Sequence, residues 1–434
     1  MTADTPLAFG LELDTGFDEE SGLLCACAGS CINFEPLPVS AGDRVALREQ
    51  GASWRIAFYS AAPDPALLYT YSYQPEANWA RYLPEKSLPD WTDGAYTVPA
   101  DGFLRIQLRS SHAVQLAGAL RCEPAEPGRV TDAAWIEAEA DRVAARVKAL
   151  RRGDDAVFLL LADTHYAVGS NWPDTLRSLR AVRDRILPDG VIHLGDLTDG
   201  MLPELWTRRY TDRVLDGLRS LGGSFDACLG NHDMNYFRGN EPMSKAACAA
   251  WILGRRQPWY YRDLPRQRIR MLFLDSFEPM REERYGFSGR ELFWLRRTLA
   301  ATPPSYRVLL FSHVPPLARL HVWSDTILRE EAVLRCLTRF HKRRGGAVLG
   351  WVHGHNHTDQ LFTEAAFPIV SIGCSKLESF PEYKPACSTT QRRRAGDATQ
   401  ELWDVLILHA ASADFDLVRY GAGADRCIAP INTD

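Results

Sequence analysis

The sequence predicts an α/β domain over residues 153–434, preceded by an all-β sandwich over 1–130 and joined to it by a helix over 131–152. Three observations lead there. Short strand-like runs punctuated by turn residues fill the first 130 positions; from Ala156 onward, short apolar runs alternate with amphipathic stretches; and residues able to do chemistry fall where those apolar runs end.

In the first segment, Arg44-Val-Ala-Leu, Trp54-Arg-Ile-Ala-Phe-Tyr, Leu68-Tyr-Thr-Tyr-Ser-Tyr and Gly102-Phe-Leu-Arg-Ile-Gln-Leu are separated by Gly, Pro, Asp and Asn, the pattern of antiparallel strands. Tyr69, Tyr71 and Tyr73 share one face because side chains alternate along a strand. An aromatic core stripe is the ordinary outcome of such a face, and a platform for a sugar is the functional one. From Thr131 to Arg152, a stretch rich in Ala, Glu, Arg and Leu places apolar residues three and four apart, which predicts an amphipathic helix capped near Thr131 or Asp132. Beyond it, Val157-Phe-Leu-Leu-Leu, Gly190-Val-Ile-His-Leu and Arg307-Val-Leu-Leu-Phe read as buried strands. Pro173 to Leu187 and Ser288 to Leu299 read as helices, and strands at Leu402–Leu408 and Phe415–Tyr420 close the chain.

Composition narrows the classes. A chain of 434 residues accommodates two or three domains of ~100–200 residues. Its net charge of -5 argues against a general nucleic-acid binder, which needs a basic excess to displace counterions from phosphate. No run approaches the roughly 18 apolar residues that span a bilayer, and the N-terminus lacks a basic and then apolar leader. The ten cysteines are scattered, as expected of reduced thiols in a cytoplasmic protein. Cys25, Cys27 and Cys31 form a C-x-C-x3-C cluster, but no second pair follows it as a structural zinc site would require.

Five apolar runs end in residues that bind metals: Asp163-Thr-His165; Gly195-Asp196-Leu-Thr-Asp199; Gly230-Asn231-His232-Asp233; His313 after Leu309-Leu-Phe-Ser; and His353-Gly354-His355-Asn-His357. The carboxyl ends of strands form the binding crevice of an open α/β sheet, so these residues can meet in space although they lie far apart in the chain. Carboxylates, imidazoles and an amide oxygen without thiolate suit manganese, zinc, iron or nickel. The ligands exceed what one tetrahedral ion needs, so two ions sharing a carboxylate is the simplest arrangement. Glycines before Asp196, Asn231 and His355 fit tight strand-to-loop turns.

The ordered set D-x-H, G-D-x-x-D, G-N-H-D, a lone His and G-H-x-H resembles the calcineurin-like metallophosphoesterase superfamily over about Ala156 to Asp359. The resemblance implies two packed sheets flanked by helices, an αββα sandwich. It implies one divalent ion on Asp163, His165, Asp196 and His357 and a second on Asp196, Asn231, His313 and His355. A hydroxide bridging ions ~3.5–4 Å apart would attack a phosphomonoester or phosphodiester. His232 would then stabilise the phosphoryl group or protonate the departing alkoxide, with Asp233 orienting its ring.

Asp199 stands where purple acid phosphatases carry an iron-binding tyrosine. Gly200 and Asp233 depart from the serine/threonine protein phosphatase pattern, while Phe311-Ser-His313-Val-Pro-Pro, Leu274-Asp-Ser and Gly286-Phe-Ser-Gly-Arg-Glu-Leu-Phe-Trp-Leu resemble bacterial phosphodiesterase-type members. A nuclease and a non-catalytic scaffold of the same fold are the alternatives. The expected partners are a small phosphoester and some ligand of the N-terminal sandwich, with nucleic acid only as substrate and no membrane. His193 reads as a buried histidine that packs or supports a ligand, His353 matches no ligand position, and His112, His321, His341 and His409 read as structural or exposed. Arg392–Arg394 reads as a solvated basic run. Asn171 and Asn235-Tyr-Phe237 lie in the chain where a substrate would approach.

Overall fold

The computed structural model describes residues 11–17, 24–33, 37–39, 42–47, 54–60, 95–98, 102–109, 120–123, 134–166, 170–200, 204–236, 242–278, 284–377, 384–390, 392–394 and 396–431. The chain divides into two compact units, Met1–Ala133 and Ala134–Asp434.

The first unit is antiparallel throughout its described strands. β1 (Leu11–Phe17), β2 (Leu24–Asn33), β7 (Gly102–Arg109) and β3 (Leu37–Val39) follow one another in one sheet, with β5 (Trp54–Ser60) also on β7. β6 (Ala95–Thr97), β4 (Arg44–Leu47) and β8 (Leu120–Glu123) form a second sheet. The register sets Ile56 opposite Ile106 and Phe58 opposite Leu104, and all four are fully buried, the cross-strand pairing that stabilises a sheet face. Cys31 is buried, and Cys27 donates to Ser30 Oγ at 3.3 Å while accepting from Gln107 Nε2 at 3.4 Å. The side chain of Cys25, the tyrosines at 69, 71 and 73, His112 and the helix cap at Thr131 or Asp132 lie outside the described residues.

In the second unit, α1 (Ala134–Leu150) lays Ile136, Ala140, Val143 and Val147 on one buried stripe. It packs against α2 (Trp172–Ile186) and β19 (Phe415–Gly421), and Tyr420 donates its hydroxyl to the Ile136 carbonyl at 3.0 Å. Two six-stranded sheets follow. The first runs β11 (Ser224–Ala227), β10 (Gly190–His193), β9 (Ala156–Leu161), β18 (Leu402–Leu408), β19 and β20 (Arg426–Ile428). The second runs β12 (Tyr260–Leu264), β13 (Ile269–Phe273), β14 (Arg307–Ser312), β15 (Val348–His353), β17 (Ile369–Ile372) and β16 (Asp359–Phe362).

β9 to β11 are mutually parallel, as are β13, β14, β15 and β17, whereas β18 to β20 and the two edge strands of the second sheet pair antiparallel. One core joins both sheets. Phe158, Leu160, Ile192, Leu406 and Phe415 from the first meet Met271, Phe273, Leu309, Phe311, Val352 and Val370 from the second. Alternate residues Val157, Leu159 and Leu161 are buried too, because helices cover the other face. Further helices of this unit are α3 (Glu204–Arg219), which packs on β11, α4 (Lys245–Ile252), α5 (Gly289–Ala300), capped by Ser288 Oγ accepting from the Glu291 N–H, and α6 (Glu330–Arg343), which packs on β15 of the second sheet. No helix among the described residues is long and apolar enough to cross a membrane.

At the opposite end of the first sheet from its loops, His409 is clamped between two carboxylates, Asp155 Oδ2 at 2.7 Å and Asp416 Oδ2 at 2.9 Å. Burial opposes its charge, but Asp155 and Asp416 outweigh that and raise its pKa. Burial likewise opposes ionisation of Asp155, and the Ala410 N–H and His409 outweigh it and lower its pKa. A histidine with a raised folded pKa contributes stability that is complete below its unfolded value of about 6.5 and vanishes as pH rises through the folded value. The wild type should therefore lose thermal stability on the alkaline side of that point, and His409→Gln should lose less. Parallel curves of melting temperature against pH for the two proteins would exclude this contribution.

Candidate metal centre

The loops leaving β9, β10 and β11 in one sheet and β14 and β15 in the other gather at one edge of the second unit. Their backbones continue the ladder past the strands: the Leu194 N–H donates to Leu161 O, Asp163 to Gly195 O, His165 to Asp196 O, Cys228 to His193 O and Gly354 to His313 O. Five of the side chains they carry sit on left-handed backbone, Asp163 (φ 54°), His165 (φ 40°), Asp196 (φ 58°), His355 (φ 67°) and His357 (φ 53°). Each such residue costs on the order of 1–3 kcal/mol and persists only where its surroundings leave it no choice. The glycines allow the approach. A Cβ on Gly230 would meet Asp196 Oδ1 at 2.0 Å, one on Gly354 would meet Asp163 Oδ2 at 2.7 Å, and Gly195 combines φ +97° with Gly230 N at 2.6 Å. Only Gly195 of the three needs its own unusual φ; for the other two the demand is space.

The side chains converge in groups. Asp163, His165 and His357 form one, Asp196, His313 and His355 another, and His165 and Asp196 meet His232 in a third. His165 Nε2 lies 3.1 Å from His357 Nε2, which is itself 3.4 Å from Asp163 Oδ1. Asp196 Oδ2 has His313 Nε2 at 3.0 Å, His165 Nε2 at 3.5 Å and His232 Nε2 at 3.9 Å around it. Asn231 joins through its Oδ1, 3.0 Å from His313 Nε2. All seven side chains expected as ligands are thus brought together.

The donor set fits cations. His313 Nδ1 donates to the Leu194 carbonyl at 2.8 Å, so in the neutral ring the Nε2 lone pair points at two oxygens, those of Asn231 and Asp196. Electron-rich atoms converge so closely only around a positive charge. In the chain alone a proton serves: burial opposes it, but Asp196 outweighs burial and lifts the His313 pKa to about 9. His355 Nε2 is buried and carries no hydrogen bond, a costly state unless a ligand completes it. Burial also opposes the charge on Asp196, yet His313, His232 and His165 hold its carboxyl well below the usual range. The centre is walled by rings: Tyr285 lies edge-on to His355 at 4.9 Å, and Trp323 to His357 at 5.1 Å.

His232 is anchored at both ends. Its N–H donates to Asp196 Oδ1 at 2.8 Å, and its ring Nδ1 donates to the Asp199 carbonyl at 2.5 Å, leaving Nε2 toward the Asp196 side. Burial pushes its pKa down to about 4. The ring-orienting role expected of Asp233 belongs in the structure to the Asp199 carbonyl. The Asp233 carboxylate instead accepts the N–H groups of Gly230 (2.7 Å), Leu197 (2.8 Å) and Asp196 (3.1 Å), buckling two site loops together. A carboxylate one residue after His232 in a tight turn points away from that ring, toward one backbone donor of its own loop and two of the loop after β10.

The other singled-out residues are structural. His193 bonds Thr164 Oγ1 at 2.7 Å, His353 Nδ1 donates to the Gly354 carbonyl at 2.9 Å, and the Val348 N–H donates to His341 Nδ1 at 3.2 Å. His321 accepts from the Trp323 N–H at 3.2 Å. Arg392 and Arg394 are exposed, but Arg393 is buried and donates to the carbonyls of Cys374, Ser375, Lys376 and Gln400. Asn171 binds the same 375–377 loop, and Asn235 accepts from Thr207 Oγ1 at 2.9 Å. Tyr236 lies edge-on to Phe277 at 5.4 Å, and Phe237 falls outside the described residues. Two participants escaped the sequence reading: Asp199, whose Oδ1 is 3.1 Å from His165 Nδ1, and Lys376, whose Nζ donates to that same oxygen at 3.1 Å. The second Asp of G-D-x-x-D was a signal for the first; nothing around Lys376 was a signal for the other.

Residues 156–359 match the family model described as calcineurin-like phosphoesterase. Among solved structures, a dimetal phosphatase from Danio rerio is similar over 63% of this chain and 99% of its own, at 19% identity and a TM-score of 0.49. The phosphopantetheinyl hydrolase of Mycobacterium tuberculosis is similar over 54% of this chain and 100% of its own (14% identity, TM-score 0.34). A structure of PhoD is similar over 99% of this chain and 90% of its own (10% identity, TM-score 0.39). No curated protein matches the chain.

The close approach at Gly230 has a measurable consequence. Gly230→Ala would press a methyl group into Asp196, so it should lower the melting temperature. A variant that melted like the wild type would show that the two loops have room to part.

Proposed function

We propose that this chain, a calcineurin-like phosphoesterase over residues 156–359, hydrolyses a phosphomonoester or phosphodiester with the help of two divalent cations. Asp163, His165, Asp196 and His357 would hold one, and Asp196, Asn231, His313 and His355 the other. The observation that supports this reading is the meeting of Asp163, His165 and His357 in one cluster and of Asp196, His313 and His355 in another, with His165 beside Asp196 between them and His355 Nε2 left bare. Ligands of nitrogen and oxygen without sulfur suit manganese, iron, zinc or nickel. Such ions, when bound, acidify a water and neutralise charge on phosphoryl oxygens.

The protein groups do the rest. His313 and His165 present Nε2 toward the centre because Leu194 O and the Asp199 carboxylate occupy their Nδ1 sides. His232 holds its Nε2 beside the same space; a bound phosphoryl dianion would raise its proton affinity and let it donate to the substrate. Tyr285 and Trp323 exclude water from the flank of the histidines, which strengthens every electrostatic contact inside.

The test is a manganese-reconstituted protein assayed on aryl mono- and diesters, cyclic nucleotides and nucleic acid, with metal content measured in parallel. Turnover of one ester class with about two ions per chain is expected from the shared-carboxylate arrangement; failure to bind metal or to turn over any ester would sink the reading. His232→Ala should keep its metal and lose roughly 10²–10⁴-fold in kcat, the usual contribution of a proton-transferring or phosphoryl-contacting histidine. Asn231→Ala should lose occupancy at one ion while retaining the other, and unchanged stoichiometry would remove Asn231 from the ligand set.

A further inference from the structure

We infer that Lys376 is a positioning residue of the metal centre: through the Asp199 carboxylate it fixes His165, and through the same residue's carbonyl it fixes His232. The inference rests on the phosphoesterase reading above and assigns a role beyond the ligands and His232. It starts from a lysine with 2% of its side chain exposed whose Nζ lies 3.1 and 3.5 Å from the two Asp199 oxygens. Asp199 faces the centre twice. Its Oδ1 is 3.1 Å from His165 Nδ1, and its carbonyl accepts from His232 Nδ1. A carboxylate there keeps the His165 proton on Nδ1 and leaves Nε2 for the ion, the arrangement that outer partners of ligating histidines impose. Asp199 can rotate away unless something holds it, and the Lys376 ammonium between its two oxygens does so.

The chain spends much of its buried hydrogen bonding on placing that lysine. The loop from Cys374 to Leu377 is tied to the strand end carrying Asp163, since the Ser375 and Lys376 N–H groups donate to the carbonyls of Ala162 and Asp163. Asn171 grips it from the helix side, donating to Ser375 O at 3.0 Å and accepting from the Leu377 N–H at 2.8 Å. Arg393 gathers three successive carbonyls, those of Cys374 (2.9 Å), Ser375 (3.3 Å) and Lys376 (2.6 Å). Asn171 is held in turn by Glu401, at 3.1 Å. Three independent clamps leave the Lys376 stem one course, inward under Asp199. Burying an ammonium is expensive unless it is paired, and pairing it here also loads Asp199 with negative charge where His165 needs it.

Lys376→Met keeps the length and apolar stem while removing the charge. Manganese titration without substrate should show about a 10- to 100-fold weaker affinity, the usual cost of losing an outer partner of a ligating histidine. With manganese saturating, kcat should fall while KM stays within about twofold, and Lys376→Arg should recover part of both. Asp199→Asn, which keeps the shape, should reproduce the loss, and Lys376→Met added to it should change affinity by less than about twofold, because the two act in series. Wild-type manganese affinity in Lys376→Met, or a change confined to KM, would overturn the inference; the latter would make the lysine a substrate contact. A lower melting temperature with unchanged affinity per folded chain would overturn it too, in favour of a purely structural ion pair. Should Lys376→Met fail to fold, Asp199→Asn alone decides, since full manganese affinity in that variant removes the link. A wild type that binds no manganese defeats the parent reading, whereas a variant that binds it normally defeats only this one.

Discussion

Asp196 is the constraint on which the centre depends. Its carboxylate is 1% exposed, with three imidazole nitrogens within 4 Å of one oxygen and the His232 N–H on the other. A buried charge is stable only when its surroundings supply the opposite sign, and in this chain the nearest sources are the rings of His313, His165 and His232. The cluster is therefore one that can bind a metal ion. The chain has built a hole for positive charge and placed it where two sheets end together.

Holding that hole open requires backbone that does not relax. Five side chains project from left-handed positions, and the glycines at 195, 230 and 354 let neighbouring loops approach to distances no Cβ would tolerate. The opposing force is the shared core between the sheets, together with buckles such as Asp233 across Gly230, Asp196 and Leu197. Local strain at the site is thus sustained by burial elsewhere, as is common where geometry must be kept for chemistry.

Much of this was legible in the chain itself. Each expected ligand lies at or just beyond the end of an apolar run, so strand ends and chemistry could be read together; His313 directly follows Ser312 at the end of β14, and Asp163 comes two residues after Leu161. The glycines were legible as necessary, but not the reason, because close approach between Gly230 and Asp196 is a fact about two loops rather than one. The role of Asp233 was misjudged from its adjacency to His232. Neighbours in sequence at a tight turn point apart, and the Asp199 carbonyl, 33 residues away, reached the ring instead. Arg393 looked like part of a solvated run because composition cannot show that four buried carbonyls converge on it.

Residue order alone showed the alternation of strands and helices after Ala156, several of the individual elements, the order of the motifs and the kinds of donor atom, since periodicity and residue chemistry are local properties; the helices at Glu204–Arg219 and Glu330–Arg343 came only from the structure. Tertiary structure alone decided which oxygen meets which nitrogen. It brought β14 and β15 of one sheet against β9, β10 and β11 of the other, and it delivered Lys376 beneath Asp199 from 177 positions away. The reason is that hydrogen bonds and ion pairs act over about 3 Å, and only the packing of the two sheets sets distances on that scale between segments so remote in the chain.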